Sequence, residues 1–222
     1  NILPYLEQGP LHALGTGQAD KKPSRATLIA TPLAGYYCPS RRAAKTYPTQ
    51  FTFWNSNYVA NVARTCYAAN GGNFQYQLGP GPSSLSAADS MTWPDNTSNR
   101  GLCFFRSQVH IAHVRDGTSN TMIVAEKSID PDHYATGQIG SEDQNAYIGY
   151  DGGVIRSSQY LPFQDRPGTG QSWAFGGTHN GSFNAAMCDG SVRTISYSID
   201  SANWTRLTDR ADGQVLDSQA IQ

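Results

Sequence analysis

Two short runs of alternating apolar and polar residues meet at Asp189-Gly190 in the stretch FNAAMCDGSVRTIS. An Asp-Gly pair between such runs marks a two-residue hairpin turn with positive φ, because that backbone geometry follows the twist of the flanking strands. In this register Cys188 faces Ser191 and Met187 faces Val192. Phe183, Ala185, Met187, Val192 and Thr194 then share the core face, and Asn184, Ala186, Cys188, Arg193 and Ile195 share the other. His179 lies ten residues before Asp189, so along an extended strand the two stand roughly 30 Å apart. His179 is therefore expected at the open end of the hairpin and Asp189-Gly190 at its tip. They read as two structural devices and not as one catalytic or metal-binding pair.

The rest of the chain supports a β-rich molecule with long loops. Residues 2–14 carry apolar positions at roughly helical spacing, broken by Pro10, and read as two short helical turns. Residues 15–34 read as a polar connector and GYYCPS as a short strand ended by Pro39. Alternation in NSNYVANVART predicts a half-buried strand, and QVHIAHV is β-like. Residues 67–100 (NGGN, GPGPSS, WPDNTSN) have no period and read as a loop insertion. The continuous apolar run TMIVAEKS has the length of a central strand. Residues 129–172 are loop-dominated, with a short strand at AYIGY. Residues 200–212 form an amphipathic helix, capped by Asp200 or Ser201 and followed by Gly213.

Composition narrows the function classes. Charged residues are only 15% of the 222, and polarity comes from Ser, Thr, Asn, Gln and Gly instead. That balance, with 22 Gly and 12 Pro, points to a loop-rich protein working outside the cytoplasm. The net charge of −1 and the lack of basic runs argue against nucleic-acid binding. No apolar stretch is long enough to span a bilayer. The four cysteines form no C-x-x-C pair, which argues against a zinc knuckle. Cys66 and Cys103 bracket the poorly packed 67–100 segment, where a disulfide would close a long loop; the alternative is four buried thiols.

Several polar groupings are candidate sites. Asp116, Gly117, Thr118, Ser119 and Asn120 precede the central strand and offer calcium-type oxygens, against the alternative of a turn whose side chains cap backbone N–H groups. Asp130, Asp132, Glu142 and Asp143 form an acidic loop, which offers calcium ligands or is simply solvated. Calcium, through Asp116, Asn120, Asp130 and Asp132, is the one cofactor these residues suggest. Glu126 at the end of the central strand is either buried with a partner such as Arg193 or exposed. His110 and His113, three apart in a β-like run, would face opposite ways and share no metal. No nucleophile elbow, zinc-protease helix or phosphate loop occurs, so the chain reads as a non-enzyme.

The motifs ILPYLEQ, YYCPSRR, DGTSNTMIVAEK and HNGSFNAAMCDGSV, in this order, resemble a large planctomycete family of unknown function. Its members carry a prepilin-type cleavage and methylation N-terminus and a C-terminal H-X9-DG region. The resemblance maps the His-x9-Asp-Gly element onto His179, Asp189 and Gly190, and a second structural motif onto Asp116, Gly117 and Glu126. It implies an α+β, pilin-like fold: a single head over 1–222, an antiparallel sheet with loop insertions, and a long N-terminal helix and stem lying upstream. A stem cysteine is common in that family and offers a partner for one of the four here. The expected role is a pilin-like or pseudopilin-like structural subunit of an extracellular filament, surface appendage or secretion-type pseudopilus. Its expected partners are copies of itself or other pilin-like subunits, and its contact with membrane runs only through the upstream helix. It is placed at the cell surface or outside, anchored in the inner membrane before assembly. The alternative is a surface module binding polysaccharide or calcium, suggested by Trp54, Trp93 and Tyr76 in polar loops.

Overall fold

A computed structural model describes residues 2–73, 81–170 and 173–217, and for residue 85 the backbone alone. It contains helices and mixed sheets, in line with the α+β expectation. Strands run β1 (Thr46–Pro48), β2 (Asn61–Ala63), β3 (Tyr67–Asn70), β4 (Met122–Glu126), β5 (Ile155–Arg156), β6 (Phe163–Gln164), β7 (Gly176–Gly177), β8 (Ser182–Met187) and β9 (Val192–Ser196). The helices are α1 (Gly9–His12), α2 (Lys22–Ile29), α3 (Leu85–Ser90) and α4 (Ser201–Thr208). Among the described residues no helix is long and apolar enough to cross a membrane.

The main sheet has the order β5-β3-β4-β8-β9. β3 and β5 are parallel and the other neighbours antiparallel. TMIVAEKS supplies β4 at its centre, as its continuous apolar run requires. A register shift between Met122 and Val124 marks a bulge in β4, which places Met122 and Ala125 in the same core although they are three apart. α4 covers this face. Asp200 caps it by accepting the N–H groups of Ala202 and Asn203, and its Trp204 meets Phe175 and Phe183 edge-on. Each such large side chain withdrawn from water contributes about 1.5–3 kcal/mol.

The β8–β9 hairpin forms, with one correction. Its loop has three residues, Cys188 to Gly190. The N–H of Met187 donates to the Ser191 carbonyl and the N–H of Gly190 to the Met187 carbonyl. Ala186 therefore pairs with Val192, Ala185 with Arg193 and Phe183 with Ile195. The expected two-residue turn would have shifted β9 by one position, which exchanges its two faces. Phe183, Ala185 and Met187 do face the core, but Ile195 joins them while Val192 is 70% exposed. Gly190 has φ +86°, the left-handed residue that closes a three-residue loop.

Other local expectations give way to tertiary packing. Residues 34–36 of the GYYCPS region and residues 111–113 of QVHIAHV are single 3-10 turns. The 15–34 connector contains α2, and AYIGY is not a strand. The capped helix ends at Thr208, well before Gly213. The supposed insertion at 67–100 begins with β3, an internal strand of the main sheet. The excursion that follows is closed at its neck, where a Cβ on Gly72 would stand 2.2 Å from the Gly101 nitrogen. Asn99 ties this neck by donating to the Gly71 carbonyl and accepting from the Gly101 N–H.

This neck also bears on the expected disulfide. The Cys103 N–H bonds the Asn70 carbonyl at one end of β3, whereas Cys66 precedes the other end. Four residues of strand, roughly 13 Å, separate those ends. The four cysteines are free thiols, so the Cys66–Cys103 bridge is replaced by two separate packing positions.

Candidate functional site

A cleft of about 860 Å³ opens between the 51–56 segment, α2 and the 140–151 loop. Arg64, at the end of the short β1–β2 ribbon, sets its shape. Its buried guanidinium donates to the carbonyls of Pro48, Gln144 and Glu142 and so clamps the loop to the ribbon. The Ala146 N–H donates to the Ala63 carbonyl, and the Tyr147 hydroxyl reaches the Thr31 carbonyl at 2.7 Å. On this frame the cleft presents Trp54, 65% exposed, and Phe51 on one side. Asp143, Gln144, Asn145 and Asp151 stand in the same lining. Trp173, a further lining residue, is buried, and its Nε1 donor has no acceptor among the described residues. Burial, and next the Asp151 charge, push the Asp143 carboxyl up to about 6. The cleft thus combines a flat apolar surface with amides and a carboxyl that titrates near neutrality.

Below the loop lies a buried ionic cluster, which takes Glu142 out of the acidic loop expected to hold calcium or face solvent. Glu142 is fully buried, pairs with Arg42, and meets Lys127 Nζ at 2.5 Å. Burial opposes its charge, but Arg42 and Lys127 outweigh that and lower its carboxyl to about 2. Arg156 donates to the carbonyls of Ser128, Ser141 and Ala174. Arg41 pairs with Asp165 at 2.8 Å, and the Tyr134 hydroxyl donates to the same carboxylate at 2.5 Å.

The residues assigned to the two sequence motifs fall in separate places. Both carboxylate oxygens of Asp116 accept backbone N–H groups, from Asp212 and Gly213, and the Asn120 amide donates to the Asp116 carbonyl. Gly117, with φ +99°, makes the turn. Asp130 accepts from the N–H groups of Asp132 and Gly170. Both carboxylates accept backbone N–H groups, which for Asp116 is the alternative of a capped polar turn, and among the described residues they form no shared group of ligand atoms. His110 and His113 cap one 3-10 turn, the His110 N–H donating to His113 Nδ1. Trp93 lies under the Arg106 guanidinium and does not line the cleft, and Tyr76 lies outside the described residues.

Asp189 and His179 are at opposite ends of the hairpin, as their spacing predicts. Asp189 accepts from the N–H and hydroxyl of Ser191 within the loop. His179 instead meets Glu126. Its Nε2 is 3.2 Å from Glu126 Oε1 and 3.6 Å from the sulfur of Cys38. Glu126 is buried, and its partners are His179 and Asn184, whose N–H reaches Oε2 at 2.8 Å, in place of the expected Arg193. The loop bearing His179 needs its glycines: a Cβ on Gly176 would fall 2.0 Å from the Phe163 carbonyl oxygen, and Gly177 lies against the Glu126 carboxylate. Among the described residues this is the one grouping of three Cys, His, Asp or Glu ligand atoms within 4.8 Å of one another. Cys38 carried no signal of its own in the sequence, since it arrives from 141 residues away.

The family model described as a protein of unknown function, DUF1559, matches residues 1–202. The chain belongs to the DUF1559 family. The match covers the whole of the main sheet of this DUF1559 protein, together with the cleft and the Cys38–Glu126–His179 group. No curated protein and no solved structure matches the chain.

Proposed function

We propose that this DUF1559 protein is a cell-surface module that binds polysaccharide in the 51–56/140–151 cleft. The observation that carries the reading is Trp54, a large aromatic left in solvent on a cleft that also holds carboxyl and amide groups. Sugar rings present apolar C–H faces that stack on flat aromatic surfaces, and hydroxyl edges that bond carboxylates and amides. The test is electrophoretic retardation in gels cast with neutral and acidic polysaccharides. The native protein is expected to be retarded, and Trp54→Ala to run freely while melting at the same temperature. Equal mobility of the native protein with and without every polysaccharide would overturn the reading.

A second reading, a pilin-like structural subunit assembling with copies of itself or related subunits, is favoured by a different surface. Ile2, Tyr5, Leu6 and Leu14 are all exposed, Tyr5 at 89%. Exposed apolar side chains within one short segment suit contact with a protein neighbour. Electron microscopy of native material decides it: regular filaments support the subunit, and dispersed particles remove it. The two readings are compatible, since an assembled subunit can display the cleft.

A further inference from the structure

We propose that Cys38, Glu126 and His179 form a binding site for one zinc ion. The three side chains come from three distant parts of the chain: the turn after residues 34–36, the end of β4, and the loop between β7 and β8. Thiolate, carboxylate and imidazole are the three donor types that zinc uses. The spacing fits as well as the chemistry. With Zn–S near 2.3 Å and Zn–N and Zn–O near 2.0–2.1 Å, a tetrahedron has an S···N edge of about 3.6 Å and an N···O edge of about 3.3 Å. The observed edges are 3.6 Å from Cys38 to His179 and 3.2 Å from His179 to Glu126. A zinc ion can therefore enter with little movement of these two pairs.

The surroundings support each ligand. Asn184 holds Glu126 Oε2 through its N–H and its side-chain amide, which leaves Oε1 turned to His179. The Tyr197 hydroxyl bonds both the N–H and the carbonyl of Gly177, two residues before His179. Such outer contacts fix ligand orientation in metal sites. Charge balances too, because a thiolate and a carboxylate neutralise the dication, as burial of Cys38 and Glu126 requires. Arg41, the cation three residues along from Cys38, is taken up by Asp165 and the Cys66 carbonyl. Three protein ligands leave a fourth position for water, and the His179 side chain, 35% accessible, puts the site within reach of solvent.

The competing account is a hydrogen-bonded polar cluster with no affinity for metal. Cobalt separates the two. Chelator-treated native protein titrated with Co(II) is expected to develop, at one equivalent, tetrahedral visible bands together with a thiolate-to-cobalt charge-transfer band. Zinc should displace these bands. Saturating zinc, about a hundredfold over the dissociation constant, should raise the melting temperature by roughly 5–10 °C. Cys38→Ser should lose the charge-transfer band, and His179→Gln, at a partly exposed position, should lose the bands without losing the fold. Asp189→Asn, at the far end of the hairpin, should bind as the native protein does. Absence of the bands from folded native protein would overturn the site. So would His179→Gln binding cobalt with native affinity. Polysaccharide binding in the cleft is read separately, so either proposal can fail alone.

Discussion

At the scale of single residues, position in the fold decides what a carboxyl does. Asp116, Asp130, Asp143 and Asp189 look alike in the sequence, and three of them spend their oxygens on nearby N–H groups. Asp143 differs because burial and Asp151 disfavour its charge. In the fold it keeps its proton up to about pH 6, against about 3.8 for an ordinary aspartate. The folded state thus binds more protons than the unfolded chain between these limits, and stability falls as pH rises through that window. The resulting stabilisation is complete below the lower limit and lost above about pH 6. Asp143→Asn should therefore flatten the melting temperature across this window and leave the melting point at pH 7 equal or higher. Thermal melts at half-unit steps check this, and an unchanged slope would show that the carboxyl titrates normally. None of it could be read from the sequence, where the loop around Asp143 resembles any solvated acidic stretch.

At the scale of elements, patterns with strong local cause were legible and patterns closed by distant contacts were not. β4 was readable because an internal strand needs apolar residues on both faces. α4 was readable from its Asp200 cap, which holds the first N–H groups. The hairpin was readable as a hairpin, but its register turned on one residue in the loop. Asp189-Gly190 pointed to a two-residue turn with Val192 on the core face, whereas burial of Ile195 against Phe183 favours the three-residue one. β3 was hidden because its residues, Tyr-Ala-Ala-Asn, have little strand preference; the main sheet and the Asn70 side chain, which donates to the Met122 and Thr208 carbonyls, supply the order. The turn itself gives a direct check. Gly190 has open space around it and φ +86°, so a side chain there meets backbone strain and no clash. Gly190→Ala should cost about 1–2 kcal/mol, a drop of roughly 2–8 °C in melting temperature. A melting point that does not move would mean that the loop adopts another turn at no cost.

At the scale of the whole molecule, the fold holds two kinds of interior. The α4 side of the main sheet is apolar. The second contains Arg42, Arg64, Lys127 and Arg156 near the buried Glu142 carboxylate. Cations outnumber that carboxylate, and the strain of the imbalance falls on Lys127. Loss of hydration, reinforced by Arg156 and Arg42, lowers its amine to about 7 in spite of Glu142. This asymmetry predicts unequal costs for the two halves of one ion pair. Glu142→Gln leaves Arg42 buried without its counter-charge and should destabilise by about 3–5 kcal/mol. Lys127→Met keeps the volume of the stem, removes one surplus cation and leaves Glu142 paired with Arg42, so it should cost clearly less. Urea denaturation of both variants at pH 7 measures the difference. Equal losses would mean that the pair is an isolated bridge; a larger loss for Glu142→Gln would show that this carboxylate holds together the 42, 64, 127 and 156 segments.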